Sequence, residues 1–151
     1  ANSHLRGTPL DMRHVIDTAG TLLERHGLSD RCQLAAGDFF DFVPAGADIY
    51  ILKKVIHDWA DTDARNILSN CRRSIPKAGR LLLIELVVPS PNAPSFAKML
   101  DLLMLAYAGG RERTEDEYRE LLSSAGFCLL RVIPTASPVS IIEAIPFDPA
   151  E

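Results

Sequence analysis

The sequence predicts an α/β fold: a mostly parallel sheet finished at its edge by an antiparallel hairpin near the carboxyl terminus. Three observations carry this. Leu81 to Val88 is an almost unbroken apolar run with Glu85 its one charge, the pattern of a parallel strand covered on both faces. Short β-rich runs alternate with stretches of helical periodicity along the first two thirds of the chain. Phe127 to Ile133 and Val139 to Ile145 are joined only by Thr135-Ala136-Ser137-Pro138 at their core, a connection that permits only an antiparallel pair.

In chain order, Leu5 to Asp11 is a turn leading into a very short strand that ends in an acid. Met12 to His26 places Val15, Ile16, Ala19, Leu22 and Leu23 at helical spacing, with Gly27 where a left-handed cap belongs. Cys32 to Ala36 is a second short strand, followed by Gly37-Asp38-Phe39-Phe40, and Ile49 to Leu52 is a third. Asp61 to Pro76 reads as a helix with Ala64, Ile67, Leu68, Cys71 and Ile75 on one face. Its acids Asp61 and Asp63 suit the amino-terminal dipole and Arg72, Arg73 and Lys77 the other end. Pro89 to Ser95 is a loop, and Phe96 to Tyr107 a helix apolar nearly all round, which calls for a cover. Thr114-Glu115-Asp116-Glu117 has the form of a capping box opening the next helix, and Gly126 ends it.

With 151 residues, 47% of them hydrophobic, the chain is long enough for one real core and is expected to form one domain. Sixteen basic against twenty acidic residues give a net charge of −4, and no basic block could neutralise a row of phosphates, so nucleic acid and anionic membrane surfaces are not expected partners. No run of about 20 apolar residues and no signal-like start occurs, which points to a cytoplasmic protein. Cys32, Cys71 and Cys128 are widely spaced in apolar stretches and are expected as buried, reduced thiols. No tight ligand spacing suggests a metal.

Chemistry-bearing residues gather at expected strand ends, where ligands bind in open α/β sheets. Asp11 and Asp38 each follow a strand and fit either a turn aspartate or an acceptor for sugar hydroxyls. Lys53-Lys54-Val55-Ile56-His57-Asp58-Trp59 follows the third strand. His57 alone fits a structural histidine as well as a base, and Glu112 alone fits a solvated charge between two arginines. Glu85 must be paired or sit at an open strand end. Together His57, Glu85 and Glu112 can make a base with two carboxylates to orient it.

The ordered set Leu10-Asp11-Met12-Arg13-His14-Val15, Gly37-Asp38-Phe39-Phe40, Leu52 to Trp59, Ile84-Glu85 and Gly109-Gly110-Arg111-Glu112-Arg113-Thr114 closely resembles the metal-independent S-adenosylmethionine-dependent O-methyltransferases. This family includes plant caffeate-type enzymes and bacterial polyketide and carotenoid methyltransferases. The resemblance runs from about Leu5 to Pro146 and implies a Rossmann-like methyltransferase sheet. It implies that Asp11 holds the cofactor's ribose hydroxyls, that Asp38 and Phe39 flank its adenine, and that Lys53 lies near its methionine carboxylate. His57 is the implied general base, with Glu85 and Glu112 bracketing its ring and Asp58 beside the acceptor. Met99, Leu103 and Met104 are implied to wall the pocket of a small hydroxylated, aromatic or polyketide-like acceptor. The family's amino-terminal dimerisation domain, its first sheet strand and the glycine-rich loop after that strand have no counterpart in the sequence, so a carboxyl-terminal catalytic part is expected. Such a part leaves Phe96 to Tyr107 uncovered, which favours homo-oligomers. Two other classes fit less of the pattern. One is a non-catalytic fragment acting as a self-associating folded module; the other, a nucleotide-dependent oxidoreductase, suits an acid after a strand but leaves His57, Glu85 and Glu112 without a role.

Overall fold

The structure, a computed structural model, describes residues 2–89, 96–107 and 109–147, without the side chains of residues 102, 103 and 105–107. Of the expected loop from Pro89 to Ser95, only Pro89 lies among them. The chain divides into two compact units, Ala1–Ala45 and Gly46–Glu151.

In the first unit, β1 (Leu10–Asp11) pairs in parallel with β2 (Ala35–Ala36), and an isolated bridge joins Gly7 to Cys32. The expected strand from Cys32 is thus interrupted before Ala35. α1 (Arg13–Arg25) buries Ile16. Gly27 follows it at φ 63°, donating to the Glu24 carbonyl while the Leu28 N–H reaches the Leu23 carbonyl at 2.9 Å. These bonds satisfy carbonyls that the last helical turn leaves open, in a backbone conformation that disfavours any residue with a Cβ.

The second unit is built on a four-stranded sheet ordered β3 (Ile49–Lys53), β4 (Arg80–Glu85), β8 (Ser140–Pro146) and β7 (Phe127–Pro134). β3 and β4 are parallel, whereas β8 runs antiparallel to both β4 and β7. The carboxyl-terminal hairpin therefore ends the sheet as expected, with its second strand turned inward against β4. On one face Tyr50, Leu81, Leu83, Leu129, Ile142 and Ala144 are buried. α4 (Glu115–Ser124) packs on β7, and α2 (Asp61–Ser74) packs against α4. α2 carries its acids and arginines at the expected ends, and its buried residues include Ala64, Ile67, Leu68 and Cys71. The Thr114 hydroxyl accepts from the Glu117 N–H while the Glu117 carboxylate accepts from the Thr114 N–H, so the capping box forms.

Three expectations need correction. The run from Leu81 to Val88 is not one strand: β4 stops at Glu85, and β5 (Val87–Val88) pairs separately with β6 (Arg113–Thr114). A local apolar run cannot announce this exchange of partners, because it depends on a segment 26 residues away by pairing (Val87 with Arg113). Nor is β4 covered equally on both faces, since Leu82 and Ile84 are only half-buried and Ile49 and Ile51 on neighbouring β3 are 50% and 61% exposed. The cysteines, too, differ: Cys71 is buried and Cys32 half-buried, but Cys128 is exposed on outermost β7.

α3 (Phe96–Tyr107) forms as expected, with Ala97 buried but Phe96 and Met99 more than half exposed. No helix among the described residues is long and apolar enough to cross a membrane. Leu83, fully buried on β4, is a direct probe of the covered core. Leu83→Ala should lower the unfolding free energy by about 2–5 kcal/mol in urea titration, and a loss below about 1 kcal/mol would mean that the face is not close-packed.

Candidate active site

The second unit places a polar cluster where β3 and β4 end. After Lys53 the chain turns sharply: Lys54 takes φ 55°, a left-handed conformation that few side chains tolerate, and its N–H bonds the Ile84 carbonyl at 3.1 Å. Ile56–Asp58 then forms a single short turn of 3₁₀ helix that buries Ile56 and His57.

Glu85, fully buried at the end of β4, fastens the start of this turn. Its Oε1 accepts from the N–H groups of Val55 at 3.0 Å and Ile56 at 2.9 Å. Oε2 is buried with no hydrogen-bond partner among the described residues. Burial pushes the Glu85 pKa up, against the opposing pull of the nearby imidazole and of the two N–H groups. Glu85 thus meets the turn through its backbone rather than by a hydrogen bond to the ring.

Glu112 makes the bond to the ring. His57 Nδ1 lies 2.9 Å from Glu112 Oε1 in a buried contact, and Glu112 is 2% exposed. An ionised carboxylate can only accept, so it holds the proton on Nδ1 and leaves Nε2 as the acceptor when the ring is neutral. Nε2 of the buried ring lies 3.3 Å from Oδ1 of Asp58, whose own side chain is about half exposed. The His57 pKa is raised, first by the Glu112 hydrogen bond and further by the charges of Glu85, Glu112 and Asp58, while burial works the other way.

The segment bearing Glu112 is pressed onto the turn by its backbone. The Arg111 N–H donates to the His57 carbonyl at 2.9 Å. Gly110 approaches so closely that a Cβ there would stand 2.2 Å from the same oxygen; only glycine fits. The Glu112 N–H in turn donates to Asp101 on α3 at 2.8 Å. Next to Glu112, Arg113 is wholly buried and bonds Asp61 and the carbonyls of Ile56 and Trp59. Neither Arg113 nor Gly110 stands out in the sequence by its own residue type. The signal that could have found them is the Gly-Gly-Arg-Glu-Arg-Thr string itself, in which a glycine and an arginine flank the acid.

Lys53 is exposed at the end of β3. Met99 is exposed and Met104 half-buried on α3, and the side chain of Leu103 lies outside the described residues. In the first unit, Asp11 Oδ1 accepts from the Met12 N–H at 2.7 Å and Asp38 Oδ1 from the Phe40 N–H at 2.9 Å. Each local bond fixes a carboxylate beside a short strand, and carboxylate oxygens are acceptors suited to ribose hydroxyls or an amino group. The Phe39 ring lies 5.1 Å from that of Phe40, centre to centre.

Comparison with known proteins gives this arrangement a context. One family model, described as an O-methyltransferase domain, matches residues 2–128. Phenazine O-methyltransferase PhzM of Lysobacter antibioticus is 50% identical over 141 residues, which are 93% of this chain and 41% of that protein. Aclacinomycin 10-hydroxylase RdmB of Streptomyces purpurascens is 41% identical over 128 residues, 83% of this chain and 34% of that protein. The crystal structure of the neocarzinostatin-biosynthesis O-methyltransferase NcsB1, in complex with S-adenosyl-L-homocysteine and 1,4-dihydroxy-2-naphthoic acid, is similar with a TM-score of 0.85 at 39% identity, covering 95% of this chain and 42% of that one. The chain spans about 40% of the length of the curated relatives it matches. On the match over residues 2–128, it belongs to the O-methyltransferase family.

Proposed function

We propose that the chain is the carboxyl-terminal catalytic part of an S-adenosylmethionine-dependent O-methyltransferase, with His57 as the base that takes the proton from a hydroxyl of a small aromatic or polyketide-like acceptor. The observation that carries this reading is the buried 2.9 Å contact between His57 Nδ1 and Glu112. Family membership by itself does not choose the reaction, because a relative 41% identical is named as a hydroxylase. An imidazole whose Nδ1 is paired with an acid has Nε2 available as an acceptor, which is what a base for a hydroxyl proton needs.

The bound cofactor supplies an electrophilic methyl group on a positively charged sulfur. Asp11 and Asp38 have carboxylate oxygens to offer its ribose and adenine amino group, Phe39 is assigned to the adenine face, and Lys53 to the methionine carboxylate. A phenol with a pKa of ~10 is scarcely ionised at neutral pH, so alignment alone leaves the acceptor a poor nucleophile. Neutral His57 accepts the hydroxyl proton at Nε2, and Glu112 on Nδ1 stabilises the resulting imidazolium. Glu85 acts earlier in the chain of support, by fixing the N–H groups of Val55 and Ile56. Asp58 stands beside Nε2, and Met99, Leu103 and Met104 of α3 are assigned to the acceptor wall. A second reading, a self-associating module, draws on the exposed Phe96 and Met99 of α3. Dimers by sedimentation together with inactivity of the completed enzyme would favour it.

Calorimetric titration with S-adenosyl-L-homocysteine should detect binding by this chain or by a chimera that places the amino-terminal part of the phenazine enzyme before it; silence from both refutes the cofactor assignment. In the active chimera, His57→Ala should reduce turnover by roughly 100-fold or more with cofactor affinity nearly unchanged. Equal loss of both would reduce His57 to a structural residue. The raised His57 pKa means that turnover should climb with pH and level off only above the ordinary imidazole value of about 6.5.

The ion pair also has a signature in stability. His57 binds its proton more tightly in the folded chain, so its contribution is fully present below the unfolded imidazole pKa and fades as pH rises through the higher folded value. Chemical denaturation of the wild type and of Glu112→Gln should therefore give a stability difference that is largest near pH ~6 and shrinks toward pH ~9. A difference constant across that range would mean that the pair is not ionised.

A further inference from the structure

We infer that Arg113 is the positioning residue of the His57–Glu112 pair, clamping the turn that carries the imidazole at a fixed distance from the segment that carries the acid. It touches none of the reacting groups. Its side chain is 1% exposed, and all three guanidinium nitrogens donate. Nη1 reaches the Ile56 carbonyl at 3.1 Å and the Arg111 carbonyl at 3.3 Å. Nη2 reaches the Trp59 carbonyl at 2.9 Å and Asp61 Oδ1 at 2.7 Å, and Nε reaches the same oxygen at 3.0 Å.

The location of these acceptors gives the arginine its role. Ile56 and Trp59 bracket His57-Asp58 in sequence, and Asp61 begins α2. One side chain therefore holds the carbonyl just before the imidazole, the Trp59 carbonyl two residues beyond it and the helix that follows. Glu112, the adjacent residue, holds the ring. A contact on both backbone flanks leaves the turn no hinge about which His57 could swing away from its acid. The close approach of Gly110 to the His57 carbonyl and the Arg111 N–H bond to that oxygen keep the two segments together at a third point.

The arrangement needs an arginine. A buried guanidinium must have its donors matched, and only the planar fork can serve carbonyls and a carboxylate in several directions at once. Lysine keeps the charge but brings one compact ammonium. In Arg113→Lys the turn loses part of its anchorage, the Nδ1 to Glu112 contact loosens, and His57 holds its proton less tightly.

The inference rests on the reading of the buried pair as the site's base and orienting acid, yet its test does not need turnover. The ring resonances of His57 are followed by NMR against pH in this chain and in Arg113→Lys. Glu112, Glu85 and Asp58, the acids acting on the ring, are unchanged in both. The proton affinity of His57 should fall about tenfold, equivalent to one pKa unit, as its hydrogen bond to Glu112 weakens. An unchanged titration in folded Arg113→Lys, whatever its loss in melting temperature, overturns the inference and leaves Arg113 a structural residue only. Should that variant not fold, Asp61→Asn decides by the same measurement, since the Asp61 side chain is 58% exposed and accepts two of the five guanidinium bonds. A decrease of about threefold supports the clamp; no change overturns it. Turnover retained by His57→Ala would remove the catalytic reading while leaving the titration result intact, so the two failures are distinguishable.

Discussion

Two buried carboxylates act on one short turn, and burial leaves each of them little choice of partner. An acid removed from water must be met by hydrogen-bond donors or by an opposite charge, or else take up a proton. Glu85 is met by two peptide N–H groups and Glu112 by an imidazole. The rest of the second unit follows from this division. The end of β4 sets where the turn begins, the segment after α3 sets where its ring points, and the ring nitrogen that remains is the one beside the half-exposed Asp58.

This arrangement explains why the two acids act differently on His57 despite their similar depth. Glu85 has an oxygen engaged by backbone, so its effect on His57 is electrostatic and architectural. Glu112 shares a proton line with the ring, so its charge responds most directly when the imidazole gains or loses a proton. The buried arginine beside it brings a positive charge that is paired with Asp61.

Periodicity and cap chemistry made much of the fold legible. Thr114 and Glu117, Gly27 and the spacing of Ala64, Ile67, Leu68 and Cys71 each state a local rule that the chain obeys. Partner choice at long range is a different kind of information. Nothing within Leu81 to Val88 tells that the chain changes neighbours after Glu85, and nothing around Cys128 tells that its strand lies outermost. The site divides along the same line. His57 and Glu112 stand out as members of an ordered set, but the set does not say that Glu85 meets peptide groups instead of the ring. The burial of Arg113 is not legible locally, because an arginine in a polar loop ordinarily reads as solvated and its partners are carbonyls more than fifty residues earlier.

The pairing of β5 with β6 is only two residues long, Val87 with Arg113 and Val88 with Thr114, yet it sets the register of everything nearby. Side chains of successive residues in an extended segment point in opposite directions, so Glu112 and Arg113 leave this stretch on opposite sides. A slip of one residue would exchange them, presenting a guanidinium to the imidazole and a carboxylate to three carbonyl oxygens. Insertions or deletions between Gly110 and Thr114 should therefore be far less tolerable than substitutions on the exposed surface of α4. In this short ladder, counting residues correctly is part of the chemistry.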